Sequence, residues 1–243
     1  MKVREYIRQR EIVIQRVERT FAIRMRRALI KTVEPVIEAF KYSDSPDVEA
    51  IIKTNHIEEA LRWVYIKFGY RQARWFNSNF EFQKKNDTWL RNMEGWFETE
   101  GFVKIVSIAK TTKDLLKPVV RRMAQEGLSI DKIAREIKNS SAVSIGRATT
   151  IARTEVVGAA NVATHMVAKE IGDNLEKRWV TGGLKIRDSH YAAEDIGWIP
   201  FNEPFLVPNN SGGYDEMQHP HDITGSPENI INCKCVEVYR TIV

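Results

Sequence analysis

Cysteine is scarce in this chain, and its scarcity excludes one class of protein. Only two cysteines occur in 243 residues, Cys233 and Cys235. A small secreted scaffold held by disulfides needs a dense set of cysteines, so this pair does not form such a framework. In an extended strand, residues i and i+2 point to the same face, and we expect both sulfurs to face one way. The pair is therefore either part of a metal site or a small apolar contact.

Long apolar runs are also lacking. No stretch reaches the roughly 18 consecutive apolar residues of a membrane span, and charges interrupt the first 15 residues, which leaves no signal-peptide core. We therefore expect a protein that is made and kept in a cytoplasm, with no membrane partner. The sequence also contains no Gly-x-Ser-x-Gly nucleophile elbow and no glycine-rich loop long enough to cradle a phosphate.

Positive charge is present, and it is unevenly placed. The net charge is +5, and residues 1–40 hold ten basic residues against five acidic ones, which is the whole surplus. A basic stripe is typical of a surface that binds a polyanion or an acidic protein, although a solvated helix face has the same composition. The residues predicted to bind such a partner, nucleic acid or protein, are Arg16, Arg19, Arg26 and Arg27.

Residues 3–41 predict one long helix. Core-type side chains recur every three or four positions and line one face: Ile14, Val17, Phe21, Met25, Ala28, Thr32, Val36 and Phe40. The four arginines fall largely off this stripe, and Pro35 predicts a kink. A stripe of this length requires a partner helix, from this chain or another.

Helical patterns continue as far as Gly172. They cover 47–69, 111–126, 129–138 and 142–171, and the last is rich in small residues that permit close packing: Gly158, Ala159, Ala160 and Ala163. Twelve aromatic residues, Phe80 and Phe82 among them, lie in 61–102 and alternate with basic residues such as Lys84 and Lys85. Nucleic-acid surfaces and helical cores both use this combination, so both interpretations stay open.

Beyond Gly172 prolines and turn residues replace the long helices. The patterns predict a strand over 176–181 ending at Gly182-Gly183, a short helix over 188–195, one or two strands over 198–207, a loop over 208–229 and a final strand over 232–241. The predicted class is α+β, with a long helical N-terminal region and a small α+β domain whose short sheet is closed by the last strand. We expect two domains, a partner-binding helical arm or bundle over 1–110 and a second domain over 111–243, helical in 111–172 and α+β in 173–243.

A metal site is one interpretation of the C-terminal residues. Three of the five histidines and both cysteines lie in 190–243. Two thiolates and two imidazoles are a common tetrahedral zinc set, and the candidate ligands are Cys233, Cys235, His190, His219 and His221. Cys-x-Cys is not the usual finger spacing, so buried cysteines with surface histidines are the alternative. Asp188, His190 and the acids that follow could instead supply the base of a metal-dependent nuclease or transferase.

Several strings in this part of the chain together resemble a known family. In chain order they are Ala152-Arg153-Thr154-Glu155, Asn161 in an Ala/Asn-rich helix, Lys177-Arg178-Trp179, Arg187-x-Ser189-His190, Pro200-x-x-x-Pro204-Phe205 and Asn232-Cys233-Lys234-Cys235. Over residues 128–240 the chain resembles the phage head morphogenesis family, also called Mu F-like minor capsid proteins. The family often has an Asp-Gly turn where this chain has Gly182-Gly183, and a histidine where Asn229 and Ile230 stand.

The resemblance implies a minor head protein of a tailed phage or prophage. Such a protein lies inside the capsid near the portal, and in the host cytoplasm during assembly. Its implied partners are the portal protein and other head proteins, in an oligomeric particle, with packaged double-stranded DNA as a further contact. The resemblance implies no established reaction. Two alternatives to a head protein stay open. One is the metal-dependent nuclease or transferase described above, and the other is a zinc-stabilised nucleic-acid-binding module without a capsid role.

The family strings also supply candidate structural residues. They are Arg153, Thr154, Glu155, Asn161, Trp179, Arg187 and Asn232. Arg153 and Glu155 are two apart on a helix, so they do not face each other. We expect each of them to hydrogen-bond loops of the C-terminal domain.

Overall fold

The computed structural model describes residues 3–79, 88–172, 174–183 and 185–242. Long helices come first and short antiparallel strands follow, which confirms the predicted α+β class. The helices are α1 (Val3–Ala39), α2 (Val48–Ile51), α3 (Asn55–Arg62), α4 (Gly69–Asn79), α5 (Trp89–Trp96), α6 (Phe102–Glu126), α7 (Ile130–Asn139), α8 (Ile145–Ile171), α9 (Asp188–Asp195) and α10 (Pro227–Ile230). The strands are β1 (Leu175–Val180), β2 (Trp198–Pro200), β3 (Phe205–Pro208), β4 (Tyr214–Met217) and β5 (Val236–Thr241). π-helical turns join α3 to α4 and α5 to α6, and a 3₁₀ turn precedes α8.

The long helix α1 forms over most of its predicted range and turns its stripe inward. All stripe residues are buried except Val17, which is half-buried. The four arginines of the predicted partner surface are exposed. Pro35 lies within the helix near its end. The partner helix is α8, against which α1 packs along much of its length.

Small residues let α8 serve as the central helix. Gly158, Ala159, Ala160 and Ala163 are all buried, and α1 and α4 pack on the helix together with the π-helical turn after α3. At Gly158 an added methyl group would lie 3.0 Å from the Tyr65 hydroxyl oxygen. Glycine therefore allows the turn that carries this tyrosine to approach closely.

The aromatic stretch contributes mainly to the core in the part that the structure describes. Tyr65, Phe68, Phe76, Trp89 and Phe97 are buried. The Tyr65 ring is stacked on Trp96 with ring centroids 4.7 Å apart. Phe80, Phe82, Lys84 and Lys85 lie outside the described residues. The buried rings favour the helical-core interpretation for the remainder of this segment.

Two small antiparallel sheets form the C-terminal part. Strand β1 lies between β2 and β5, and β3 pairs with β4 as a hairpin. The prediction of a loop over 208–229 is wrong in part, because β4 lies within it and α10 begins in it. Strand β4 reads Tyr-Asp-Glu-Met, and acidic residues are depleted in strands, so its sequence carries little β signal. The last strand closes the three-stranded sheet, as predicted, but begins four residues later.

Buried apolar residues form two clusters. The main core runs from Tyr6 to Tyr239 and includes residues of the helices, β1 and β5. The predicted boundary between residues 110 and 111 falls within α6, and the main core has members on both sides of it. The second core is small: Trp179, Ala193, Ile199, Phe205, Val207, Met217, Cys233 and Cys235. Among the described residues, no helix combines the length and the apolar character needed to cross a membrane.

Candidate metal centre

Both cysteines meet one histidine in the second core. His190 Nδ1 lies 3.6 Å from Cys233 Sγ and 3.3 Å from Cys235 Sγ. The three ligand atoms all lie within 4.8 Å of one another. Tetrahedral zinc, with bonds of about 2.3 Å to sulfur and about 2.0 Å to nitrogen, separates these ligands by about 3.6 Å. The arrangement could therefore hold a metal ion.

The two thiols differ in acidity. A hydrogen bond from Cys233 lowers the pKa of Cys235 against the effect of burial, and contacts with His190 and the Trp179 indole lower it further. Burial, followed by the neighbouring Cys235 sulfur, raises the pKa of the Cys233 thiol well above its ordinary value. The surroundings therefore favour ionisation of Cys235 over that of Cys233. A metal ion would bind both sulfurs as thiolates.

Local backbone geometry explains Asn232 in the cysteine segment, residues 231–235, and the two glycines that pack beside it. Asn232 has φ +62°, a left-handed conformation that asparagine tolerates better than most side chains. At Gly182 an added methyl group would clash with the Lys234 carbonyl oxygen. Gly183, with φ +95°, completes this turn. The Gly182-Gly183 turn therefore packs directly on the chain between the two cysteines.

Residues of the family strings hold the cysteine segment from both sides. From α8, Arg153 Nη1 donates to Asn232 Oδ1 at 2.6 Å, and Thr154 Oγ1 accepts from the Asn232 N–H at 2.8 Å. Before α9, Arg187 Nη2 donates to the carbonyl of Ile231 at 2.5 Å. The main chain that leads into the cysteines is thus fixed by two separate helical elements.

Two buried residues extend this support. Asn161 Nδ2 donates to the Cys235 carbonyl at 3.1 Å, and its Oδ1 accepts from Arg10 Nη2 at 2.6 Å. Trp179 packs edge-on against His190 with ring centroids 5.5 Å apart. Through Asn161 the cysteine segment is connected to α1.

The expected role of Glu155 is wrong. Its carboxylate accepts from the Tyr65 hydroxyl at 2.7 Å and lies 3.5 Å from Lys104 Nζ. Both partners belong to the preceding helical region and not to loops of the C-terminal part. The side chain points there because Glu155 lies on the face of α8 that packs against the turn after α3.

His219 and His221 do not join the cysteines, which corrects the predicted ligand set. Among the described residues, the group of mutually close ligand atoms contains His190, Cys233 and Cys235 alone. His221 Nδ1 lies 3.2 Å from Asn161 Nδ2, and the His219 ring lies 4.9 Å from the His165 ring. The segment that follows β4 returns to α8 and carries both histidines away from the sulfurs.

The acids of the alternative enzyme interpretation, Asp188, Glu194 and Asp195, have other surroundings. Asp188 and Asp195 are exposed, and Glu194 accepts a short hydrogen bond from Thr181 Oγ1. Within the described ranges, no carboxylate hydrogen-bonds or ion-pairs with His190. The described contacts of its ring nitrogens are with sulfur, and Nε2 is buried without a hydrogen-bond partner in the described part of the chain. This arrangement fits a metal ligand better than a general base oriented by a carboxylate.

A buried ionic cluster was not predicted. Glu237 and Lys177 are fully buried with Nζ 3.9 Å from Oε1. The Tyr239 hydroxyl donates to Glu237 Oε2 at 2.5 Å, and His165 Nδ1 lies 3.1 Å from the same oxygen. Lys177 Nζ also donates to the Gln218 carbonyl at 2.7 Å. The available signal was Glu237 itself, a carboxylate between the apolar residues Val236 and Val238.

The predicted partner surface includes one groove. Arg19 and Arg27 line a cavity of about 490 Å³ between α1 and α3, together with Arg24 and Lys31. Arg16 and Arg26 are exposed on the same helix but do not line this cavity. Glu59 is the acidic residue in its wall. The groove is therefore strongly cationic.

Comparisons with known proteins find no counterpart. No family model matches this chain, and no curated protein or solved structure matches it significantly.

Proposed function

We propose that this chain is a minor head protein of a tailed phage or prophage whose C-terminal part is closed by a zinc ion. One observation carries the proposal. The strings behind the family resemblance lie far apart in the sequence, yet Arg153, Thr154 and Arg187 all hydrogen-bond the chain at Ile231 and Asn232. Separate motifs that converge on one segment behave as a single structural unit. This is what a family-specific module requires.

Zinc is the metal that these ligands favour. Two thiolates and an imidazole select a soft or borderline ion, and zinc accepts Cys and His ligands in tetrahedral geometry. His190 would bind through Nδ1, since this nitrogen faces both sulfurs. Metal binding would join α9 to the chain before β5, and so hold together the second core.

Elemental analysis of the full chain, purified without chelator, tests the metal. We expect about one zinc per chain and no reactive thiol. Cys235→Ser should abolish the zinc, whereas Met217→Leu, in the same core, should retain it because it changes no ligand. Two freely reactive thiols with no bound metal would contradict the zinc centre.

The head-protein role is supported by the cationic groove on α1. A helix that exposes arginine on one face can bind an acidic surface of the portal or packaged DNA, and either contact would weaken with salt. Arg19 and Arg27 lie on that groove, so they are the residues to change.

Co-sedimentation with an assembled portal ring tests this role. We expect the chain to pellet with the ring at low salt, and the Arg19→Glu/Arg27→Glu variant to bind at least tenfold more weakly. Lys132→Glu, exposed on α7, removes one cation outside the groove and should bind as the parent does. Absence of the chain from purified particles would refute a head protein, whatever the result for zinc.

A further inference from the structure

The metal centre lies at the floor of an open cavity. The cavity measures about 640 Å³, and His190, Cys233 and Cys235 all contribute to its wall. These three side chains are themselves almost fully buried. The centre is therefore buried and borders an open cavity.

Three protein ligands leave a tetrahedral ion incomplete. Structural zinc sites are normally closed by four protein ligands, whereas sites with three keep a position for water or another ligand. Here the described residues offer three mutually close ligand atoms and no fourth. The histidines that could have closed the site lie against α8 instead. The open position would therefore point into the cavity.

The cavity wall is cationic. Its charged residues are Arg153, Lys185, Arg187 and Lys234 against a single acid, Glu11. A zinc ion with two thiolates and a neutral imidazole has no net charge, so the positive charge of the wall is not cancelled by the centre. Such a wall concentrates anions at the open position.

The four cationic side chains also differ in the contacts that they already make with the protein. Arg153 and Arg187 each place one guanidinium nitrogen on the cysteine segment, which orients the planar group and leaves other N–H donors. Arg153 is also ion-paired with Glu18, with Nε 3.8 Å from Oε2, so part of its charge is already compensated. Lys185 is exposed and makes no hydrogen bond or ion pair within the described ranges. Lys234, between the two cysteines, also lines this cavity. Two fixed guanidinium forks and two lysines suit a ligand with several anionic oxygens.

We propose that the open metal position binds a phosphate group, with one oxygen on the metal and the others held by the cations of the cavity. This inference rests on the zinc centre proposed above. Phosphate is favoured over carboxylate because it presents more oxygens to the four cations. It can belong to a nucleic acid or be free, and both sources offer the same chemistry to the site.

A cobalt-substituted full chain provides the test, because the visible absorption of tetrahedral cobalt responds to its ligands. Titration with inorganic phosphate should change the spectrum saturably. Perchlorate at equal ionic strength and acetate at equal concentration are the controls. We expect neither to produce the change, and an equal response to acetate or perchlorate would overturn the phosphate assignment.

Variants separate the cavity from the metal. Lys185→Gln/Lys234→Gln should still bind one cobalt ion but bind phosphate about tenfold more weakly, because two cations near the anion are lost. Lys132→Gln, remote from the cavity, should match the parent chain in both measurements. Equal phosphate affinity in the double variant and the parent would overturn the role of the cationic wall.

The failures of the two proposals are distinguishable. A chain that binds no metal refutes the zinc centre and with it this inference. A chain that binds one cobalt ion with a spectrum unaffected by phosphate refutes this inference alone. Once inorganic phosphate changes the spectrum, duplexes with and without 5′-phosphates identify the source. A response to both duplexes indicates backbone phosphate, a response to the phosphorylated duplex but not to the other indicates a terminal phosphate, and a response to neither duplex indicates free phosphate.

Discussion

The two cores of this molecule are built on different principles. The main core brings together α1, α8 and the helices around them, and its apolar residues recur at helical spacing over many turns. The second core has eight buried residues, and two of them are the cysteines. Apolar burial at about 25 cal/mol per Å² stabilises a large core amply, but a core this small gains little from it.

The comparison suggests why thiols and an imidazole lie together in the smaller core. Small folded units generally need a cross-link or a metal in addition to apolar contacts. The main core instead accommodates a buried ionic cluster at Glu237, because the surrounding packing is extensive enough to bear its desolvation cost. The stability of the second core should therefore depend on the bound metal. The stability of the main core should depend on an intact ion pair between Lys177 and Glu237.

Removal of the metal should have the largest effect. Zinc binding by small Cys/His domains contributes about 10 kcal/mol or more to the folded state. We expect chelation, or Cys235→Ser, to expose the amides of α9 and the β3–β4 hairpin to hydrogen exchange while those of α1 and α8 stay protected. Hydrogen-exchange mass spectrometry measures both regions in one sample.

Met217→Leu is the control for that experiment, since it changes the packing of the second core without touching a ligand. Its exchange pattern should follow the parent chain. If α1 and α8 lose protection together with α9, the two cores unfold as one unit and the contrast between them is wrong.

The next largest effect should come from the buried ion pair. Lys177→Met leaves the Glu237 carboxylate without its ammonium partner, and breaking a buried pair in this way costs about 3 kcal/mol or more. The free energy of unfolding, from urea titration, measures the loss. The double variant Lys177→Met/Glu237→Leu should regain much of it, because no charge is then left unpaired. If the single and the double variant lose the same free energy of unfolding, then Lys177 does not act by stabilising the charge of Glu237.

Acid should lower the free energy of unfolding through two buried histidines, His219 and His221. Burial lowers the pKa of His219, and burial together with Lys104 lowers that of His221 further. The unfolded chain therefore binds protons below about pH 6.5 that the folded chain does not. The stabilisation is complete above that pH and is lost as the pH falls through the lowered folded values, by about 1.4 kcal/mol for each unit of pKa difference.

Urea titrations between neutral and mildly acidic pH test this sign. His219→Gln should flatten the dependence of unfolding free energy on pH. His56→Gln, which lies on α3 and not beside His219 or His221, is the control and should leave the dependence unchanged. Metal content has to be equal in the variants, since zinc binding is itself weakened by acid. A stability that rises as the pH falls from 7 to 5 would contradict the assignment of both histidines as neutral.

Local patterns predicted most of the helical region, and tertiary contacts decided the rest. The stripe of α1 follows from periodicity, which is a local property, and the bounds predicted for α9 agree with the structure. The sequence predicted that His190 lies close to the cysteines, but only as one of five candidate metal ligands. The choice among three histidines depended on β4, a strand whose acidic sequence carries little β signal. The burial of Lys177 depends on how the sheet packs against the segment at Gln218, which no local pattern encodes.

The smallest effect should come from a more accessible pair on the same two strands, formed by exposed Arg240 and half-buried Glu176. Glu176 and Arg240 face each other across β1 and β5, next to the buried pair, and Arg240 Nε donates to Glu176 Oε2 at 2.6 Å. Glu176→Gln removes the charge while Arg240 keeps its position over the Trp198 ring. Exposed pairs contribute about 0.2–1 kcal/mol and are screened by salt, so the loss should lie in that range and shrink as salt is added. Both pairs join β1 to β5 and match a carboxylate with a cation, but they differ in burial, in the cation and in N–O distance, 3.9 Å in the buried pair against 2.6 Å here. If Glu176→Gln lowers the free energy of unfolding as much as Lys177→Met does, then burial does not determine the cost of breaking an ion pair in this protein.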